Sequence, residues 1–250
     1  MSGNSLLAVC MRVSSAWMTL LLLATPFNAS HAALSLNSTR LVFVSDKTSA
    51  STVVRNPSKQ TYAVQAWVNT AEDMATIPVP FIASPHLFRL GPGDDQQLQI
   101  NALPNTLPTD RESLFYLNVQ EIPQTDKDAD NVLNIALRTR IKLFYRPHQI
   151  TGSLTRQINE LKFSFNNNNG QAELLVENPT PFHITFRRLE VNGKGQHYTL
   201  KSADMLLPLS TQAYPLTGIK PATDLQAQFT VINDFGGNTE PVKAPVSMAR

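Results

Sequence analysis

Residues 131–147, NVLNIALRTRIKLFYRP, decide the fold. Successive side chains of a β-strand point to opposite faces of its sheet, so odd- and even-numbered residues separate here. One face carries Leu133, Ile135, Leu137, Thr139, Ile141, Leu143 and Tyr145. The other begins with Val132, Asn134 and Ala136 and turns basic at Arg138, Arg140 and Lys142. A strand of this length would span roughly 56 Å, more than a usual strand of up to about ten residues. Since one apolar face normally suffices, part of the strand is predicted to project beyond its core and need a partner.

The first 32 residues are predicted to be a secretory signal peptide. The apolar run MTLLLLA at residues 18–24 follows Arg12 and precedes a small-residue site, after which cleavage is expected at Ala32. Met1 and Met11 both remain open as the start. The single cysteine, Cys10, lies in this segment, so the mature chain would be an exported protein without a disulfide.

Charge and length narrow the class further. Removing Arg12 with the signal lowers the formal net charge from +2 to about +1. This near-neutral balance argues against general nucleic-acid binding. The remaining 218 residues (250 minus 32) allow two domains of about 100 residues each or one large sandwich.

Short runs of alternating apolar residues, separated by Pro, Gly, Asn and Asp, recur along the mature chain and predict strands. No window shows apolar spacing typical of a helix. The chain is therefore predicted to be all-β. About seven strands on each side of a linker near Pro147 favour two immunoglobulin-like β-sandwich domains, with a single barrel as the weaker alternative. The predicted boundaries are 1–32 for the signal peptide, 33–148 for the N-terminal domain and 149–250 for the C-terminal domain.

Motifs for catalysis are absent from the sequence: there is no G-x-S-x-G, no phosphate-binding G-x-x-x-x-G-K-[ST], no H-E-x-x-H and no cysteine pair. The five histidines are scattered along the chain. We therefore predict no enzyme activity, no metal, no cofactor and no small-molecule substrate.

Four longer sequence motifs carry a resemblance to a known family. They are DRESLFYLN at 110–118, IKLFYRP at 141–147, NPTP at 178–181 and INDFGG at 232–237. In this order they resemble the PapD-like periplasmic pilus chaperones of the chaperone-usher pathway. The resemblance implies two immunoglobulin-like domains in an L-shaped arrangement, acting in the periplasm without ATP.

The resemblance also implies roles for particular residues. Arg40 and Lys142 match the two basic residues that hold the C-terminal carboxylate of a pilus subunit. The family's donor residues match Leu133, Ile135 and Leu137. These residues alternate along a donor strand that is inserted into a subunit lacking its last strand, which is a mode of β-strand addition. An interdomain charge cluster, which we assign to structure, matches Glu112, Arg146 and Asp234.

Lys142 presents a difficulty, because its parity is opposite to that of Leu133, Ile135 and Leu137. Either the strand twists or bulges between Leu137 and Lys142, or the lysine reaches the cleft from the other face. We expect a kink.

The function implied is that of a periplasmic chaperone that binds fimbrial subunits, completes their fold, prevents aggregation and delivers them to an outer-membrane usher. The runner-up is that the chain is itself a fimbrial subunit or adhesin, and an enzyme on a sandwich scaffold comes last. The sequence leaves open whether the free protein caps its donor strand as a homodimer.

Overall fold

The structure is a computed structural model that describes residues 34–74, 76–122, 135–168, 171–218, 220 and 224–248. The predicted signal peptide, residues 1–32, and the predicted donor residue Leu133 lie outside this set. No helix in the described part of the chain is long and apolar enough to cross a membrane.

The first half of the chain forms two sheets around one core. Its strands are β1 (Ser35–Leu36), β2 (Arg40–Val44), β3 (Ser49–Arg55), β4 (Tyr62–Asn69), β5 (Phe81–Ser84), β6 (Leu87–Leu90), β7 (Asp95–Ala102), β8 (Ser113–Ile122) and β9 (Arg138–Arg146). One sheet has the order β1-β3-β7-β5 and the other the order β2-β9-β8-β4-β6. Alternation decides which residues enter the core, as in β4, where Val64, Ala66 and Val68 are buried and Gln65 is exposed.

The second half forms another sandwich-like domain. A single helical turn, α1 (Leu154–Gln157), and a 3₁₀ turn (Ile158–Glu160) precede its strands. These are β10 (Lys162–Asn168), β11 (Gln171–Asn178), β12 (Phe186–Gly193), β13 (Gln196–Thr199), β14 (Ser210–Pro215), β15 (Gln226–Val231) and β16 (Val242–Met248). Their order is β13-β12-β15-β16-β10-β11-β14. β16 joins the two halves of this sheet, because it pairs antiparallel with β15 and then parallel with β10.

The prediction of an all-β chain with two domains is confirmed, with one short helix. The core of the first domain draws on residues from Leu34 to Tyr145, and the core of the second on residues from Ile150 to Val246. The boundary after residue 148 stays a prediction.

Strand β9 pairs regularly with β8, and side chains on both of its faces make contacts. Its antiparallel register with β8 runs from Ser113↔Tyr145 to Gln120↔Arg138 without a shift. On its odd-numbered face Ile141 and Leu143 fill the core of the first domain. On its even-numbered face Phe144 is also buried, but its ring lies 5.4 Å from that of His183 in the second domain. The second apolar face is therefore used at the domain joint.

Two expectations for this stretch are wrong. β9 begins at Arg138, and residues 135–137, which were predicted to lie in the strand, have no regular secondary structure. Residues 131–134 lie outside the described residues. A bulge, one of the two forms expected for a kink before Lys142, is absent from β9, since its pairing with β8 shows no register shift. Lys142 instead lies on the face opposite the core, which was the other alternative.

A sheet switch leaves one edge of β9 open. β1 pairs with β3 in one sheet, whereas β2 pairs with β9 in the other, so the chain crosses between the sheets at residues 37–39. β2 begins at Arg40, whose partner on β9 is Lys142. Residues 138–141 are consequently paired with β8 on one side and with no described strand on the other.

Leu143 and Leu137 provide a matched test of where the core ends. Leu143 is fully buried, whereas Leu137 is 53% exposed. We expect Leu143→Ala to lower the free energy of unfolding by about 2 to 5 kcal/mol because it leaves a cavity, and Leu137→Ala to lower it by less than about 1 kcal/mol. Urea denaturation followed by Trp67 fluorescence measures both changes. Equal losses in the two variants would contradict the assignment.

Candidate functional site

Arg40 and Lys142 lie side by side where the open edge of β9 ends. They are register partners in the parallel pair of β2 and β9. Arg40 is buried, with Nη1 donating to the Ile232 carbonyl at 3.0 Å and Cζ 5.5 Å from the centroid of the Phe144 ring. Its Nε is buried and has no hydrogen-bond partner among the described residues. The guanidinium therefore keeps an unused donor.

Lys142 is half-buried and contacts the second domain. Its Nζ donates to Thr185 Oγ1 at 3.1 Å. Burial, followed by the positive charge of Arg40, lowers the pKa of Lys142 from 10.5 to about 8. Burial also lowers the pKa of Arg40, against the opposing effect of the negative charges of Asp234 and Glu112. Two cations thus share a desolvated site in which their direct partners, Ile232 O and Thr185 Oγ1, are neutral. Such a site favours an anion, because charge-assisted hydrogen bonds are stronger than neutral ones.

A compensated charge cluster lies next to this site and joins the two domains. Arg146 Nη2 is 2.8 Å from Glu112 Oε1, and its Nη1 and Nη2 donate to the two carboxylate oxygens of Asp234 at 2.8 Å each. Although burial alone would lower the pKa of Arg146, the bonds to Asp234 and Glu112 raise it. The three residues that the sequence predicted as a cluster are therefore brought together, with Glu112 and Arg146 from the first domain and Asp234 from the second.

His183 is a member of this cluster that sequence reasoning missed. Its backbone N–H donates to Glu112 Oε2 at 2.8 Å, and its Nδ1 lies 3.2 Å from the same oxygen. Glu112 N–H in turn donates to the Pro181 carbonyl at 2.9 Å. Each carboxylate oxygen of buried Glu112 thus has a donor, one from each domain.

A tight loop of the second domain meets the chain just before Arg40. In this loop the N–H groups of Phe235 and Gly237 donate to Asn233 Oδ1 at 3.0 Å. Gly236 has a φ of +83°, and a Cβ there would overlap Thr39 Oγ1. The position therefore needs glycine for both its conformation and its close approach.

Arg138 and Arg140 line the same face of β9 beyond Lys142, but they have partners. Arg138 forms a bidentate pair with Asp73, at 2.6 and 3.2 Å. The Arg140 guanidinium carbon lies 3.9 Å from the centroid of the Tyr116 ring, and Nη2 donates to the Thr70 carbonyl. These two arginines hold the loop after β4 against β9.

The predicted donor residues that the structure describes are exposed. Ile135 is 60% exposed and Leu137 53% exposed, and neither belongs to the core of the first domain. The structure places them just before the open edge of β9.

Both halves of the chain match family descriptions. Residues 33–151 match the pili and flagellar-assembly chaperone, PapD N-terminal domain, and residues 156–243 match the pili assembly chaperone PapD, C-terminal domain. This chain belongs to the PapD family of pilus-assembly chaperones. The family is one of chaperones, not of enzymes, and its members named below are fimbrial chaperones.

Relatives agree with this assignment over nearly their whole lengths. The probable fimbrial chaperone YadV of Escherichia coli strain K12 is 34% identical over 223 residues, which cover 85% of this chain and 90% of YadV. The probable fimbrial chaperone LpfB of Escherichia coli O157:H7 is 38% identical over 209 residues, covering 82% of this chain and 85% of LpfB.

Solved structures show the same fold. The crystal structure of the YadV chaperone is similar with a TM-score of 0.74 at 31% identity, covering 86% of this chain and all of that one. A chain from the complex of Salmonella enterica SafA pilin with the SafB chaperone has a TM-score of 0.73 at 27% identity, with coverage of 87% and 98%.

The contribution of the charge cluster to the stability of the domain joint can be tested by mutation. Glu112→Ala should lower the free energy of unfolding by about 3 to 5 kcal/mol, because it removes a buried carboxylate and leaves partly buried Arg146 with one carboxylate partner and the His183 N–H with none. Urea denaturation followed by circular dichroism measures the loss. Arg55→Ala is the matched control, since it removes an exposed ion pair with Asp95 and should cost less than about 1 kcal/mol. A loss for Glu112→Ala no larger than for the control would contradict the assignment.

Proposed function

We propose that this chaperone captures fimbrial subunits in the periplasm by donor-strand complementation. It would hold each subunit without ATP, complete its fold, and release it to an outer-membrane usher. The single observation that carries the proposal is the open edge of β9, which ends at Arg40 and Lys142. The predicted signal peptide supports export.

The geometry of the edge favours one direction of pairing. β2 runs parallel to β9 and begins at Arg40. An incoming strand that took the vacant place beside residues 138–141, in line with β2, would run parallel to β9 and end opposite Lys142. Its backbone would satisfy the unpaired edge. Its C-terminal carboxylate would reach the two cations, whose direct hydrogen-bond partners among the described residues are neutral. Arg40 and Lys142 would thus form a carboxylate anchor. This anchor would set the register of the whole added strand.

The exposed segment before β9 supplies the apolar part of the interaction. Ile135 and Leu137 lie two residues apart, so in an extended conformation both would point to one face. Burying the two side chains in a subunit groove would contribute on the order of 3 to 6 kcal/mol before the cost of ordering the segment. Leu133 stays a predicted third member of this set.

A relative supports the choice of partner. The similar chain from Salmonella enterica was solved in a complex of the SafB chaperone with the SafA pilin. We extend that class of partner, a pilus subunit, to this chain.

Lys142 tests the anchor. Lys142→Met should weaken binding of a fimbrial subunit by about tenfold or more, because it removes a charge-assisted bond to the carboxylate. Co-purification after periplasmic co-expression with the subunits, followed by titration of purified components, measures the change. Lys47→Met is the control, since Lys47 is exposed and its ion pair among the described residues is with neighbouring Asp46. Binding by Lys142→Met that matches the control would contradict the anchor.

The same titration has a pH signature. Below pH 8 the free protein already holds Lys142 protonated, so carboxylate binding takes up no proton. Above pH 8 the free lysine loses its proton, and binding must restore it, so the affinity should fall by up to about tenfold per pH unit. Lys142→Arg should remove this decline because the guanidinium stays protonated. A wild-type affinity that stays constant from pH 7 to pH 9.5 would count against the anchor.

Ile135→Asp and Leu137→Asp test the donor segment. Each should reduce capture by about tenfold or more, since a charged side chain would enter an apolar groove, while leaving the unfolding midpoint near that of wild type. Leu207→Asp is the matched control, because Leu207 is 50% exposed and lies in the second domain. Quantitative co-purification with a subunit gives the readout. Full capture by both donor variants would contradict the proposal.

A further inference from the structure

The pairing of β8 with β9 stops at an unusual rung. After Gln120↔Arg138, the next residues in register are Glu121 and Leu137. Hydrogen-bonded pairs of an antiparallel ladder exchange two backbone bonds. Here one of them forms, from Glu121 N–H to the Leu137 carbonyl at 3.1 Å. The reciprocal bond is missing, because Leu137 N–H donates to the Glu121 side chain, at Oε1 and 3.3 Å.

A buried carboxylate at position 121 is energetically unfavourable. Glu121 continues the core-facing series of β8, after Phe115, Leu117 and Val119, and it is only 4% exposed. Its Oε2 is buried and has no hydrogen-bond donor among the described residues. Burial raises the pKa of Glu121, and the bond from Leu137 N–H offsets this only in part. An apolar side chain would fit the pattern of the strand better, so stability does not account for a carboxylate here.

The contact to Leu137 N–H does offer a reason. If Leu137 N–H bonded to the Glu121 carbonyl, β9 would begin at least one residue earlier and continue along β8. Instead the chain leaves the sheet at this rung, and Ile135 and Leu137 are exposed.

We propose that Glu121 is a positioning residue that ends β9. Its carboxylate takes the Leu137 amide away from the backbone of β8, and so keeps the segment with Ile135 and Leu137 out of the sheet and available to a subunit. The role of that segment rests on the proposed function, whereas the ending of the strand does not.

Amide hydrogen exchange of the free mature protein, followed by NMR, tests the strand ending. Glu121→Val removes the side-chain acceptor, so Leu137 N–H should bond to the β8 backbone. Its amide should then exchange at about one fifth of the wild-type rate or more slowly. Glu121→Gln is the matched control, because it keeps an acceptor at Oε1, and its Leu137 exchange should stay within about twofold of wild type. Glu121→Val replaces a buried carboxylate by an apolar side chain, so its melting temperature should be at or above that of wild type.

The same variants test the consequence for capture. Glu121→Val should capture a purified fimbrial subunit about fivefold more slowly than wild type, and Glu121→Gln should capture it at the wild-type rate. The inference is overturned if Leu137 exchange in Glu121→Val equals that of wild type, or if exchange slows and capture does not. A wild-type protein that captures no subunit would overturn the proposed function instead, and the exchange data would still decide whether Glu121 ends the strand.

Discussion

The uninterrupted register of β9 with β8 is the constraint on which the rest of the structure depends. Because β9 pairs with β8 without a bulge, its side chains alternate strictly between two environments. Leu143 fills the core of the first domain, and neighbouring Phe144 packs beside His183 of the second. Any shift by one residue would exchange these two faces. One strand therefore fixes the core, the domain joint and the position of Lys142 at the same time.

Two groups of charges lie on the even-numbered face of this strand and beside it on β2, and they differ in whether their direct partners carry the opposite charge. Arg146 pairs with a carboxylate from each domain, so these ion pairs hold the joint together. Arg40 and Lys142 have only neutral direct partners, and burial lowers the pKa of each. A site that keeps two cations desolvated with only neutral direct hydrogen-bond partners sacrifices stability. A bound carboxylate would restore it, which links the structure of the free protein to the proposed capture of a subunit.

Part of this arrangement could be predicted from the sequence because it depends on alternation. The apolar residues at 141 and 143 predicted a buried face, and the basic residues at 138, 140 and 142 predicted an opposite one. The kink was expected because the donor residues and Lys142 were assumed to act on one face. β9 was predicted to begin before Arg138 because periodicity does not reveal whether an amide bonds to the backbone or to a side chain. The Leu137 amide bonds to the Glu121 side chain. The contacts of His183 and Thr185 join distant parts of the chain, and no local pattern marks them.

The open edge of β9 is the central claim, and amide exchange at that edge tests it most directly. Odd-numbered residues of β9 bond to β8, so the N–H groups of Arg138 and Arg140 face the vacant side. The measurement compares their exchange in the free protein and in a purified complex with a fimbrial subunit. The account predicts that both amides become protected in the complex. Amides at Arg138 and Arg140 that exchange equally fast in the free and bound protein would contradict it.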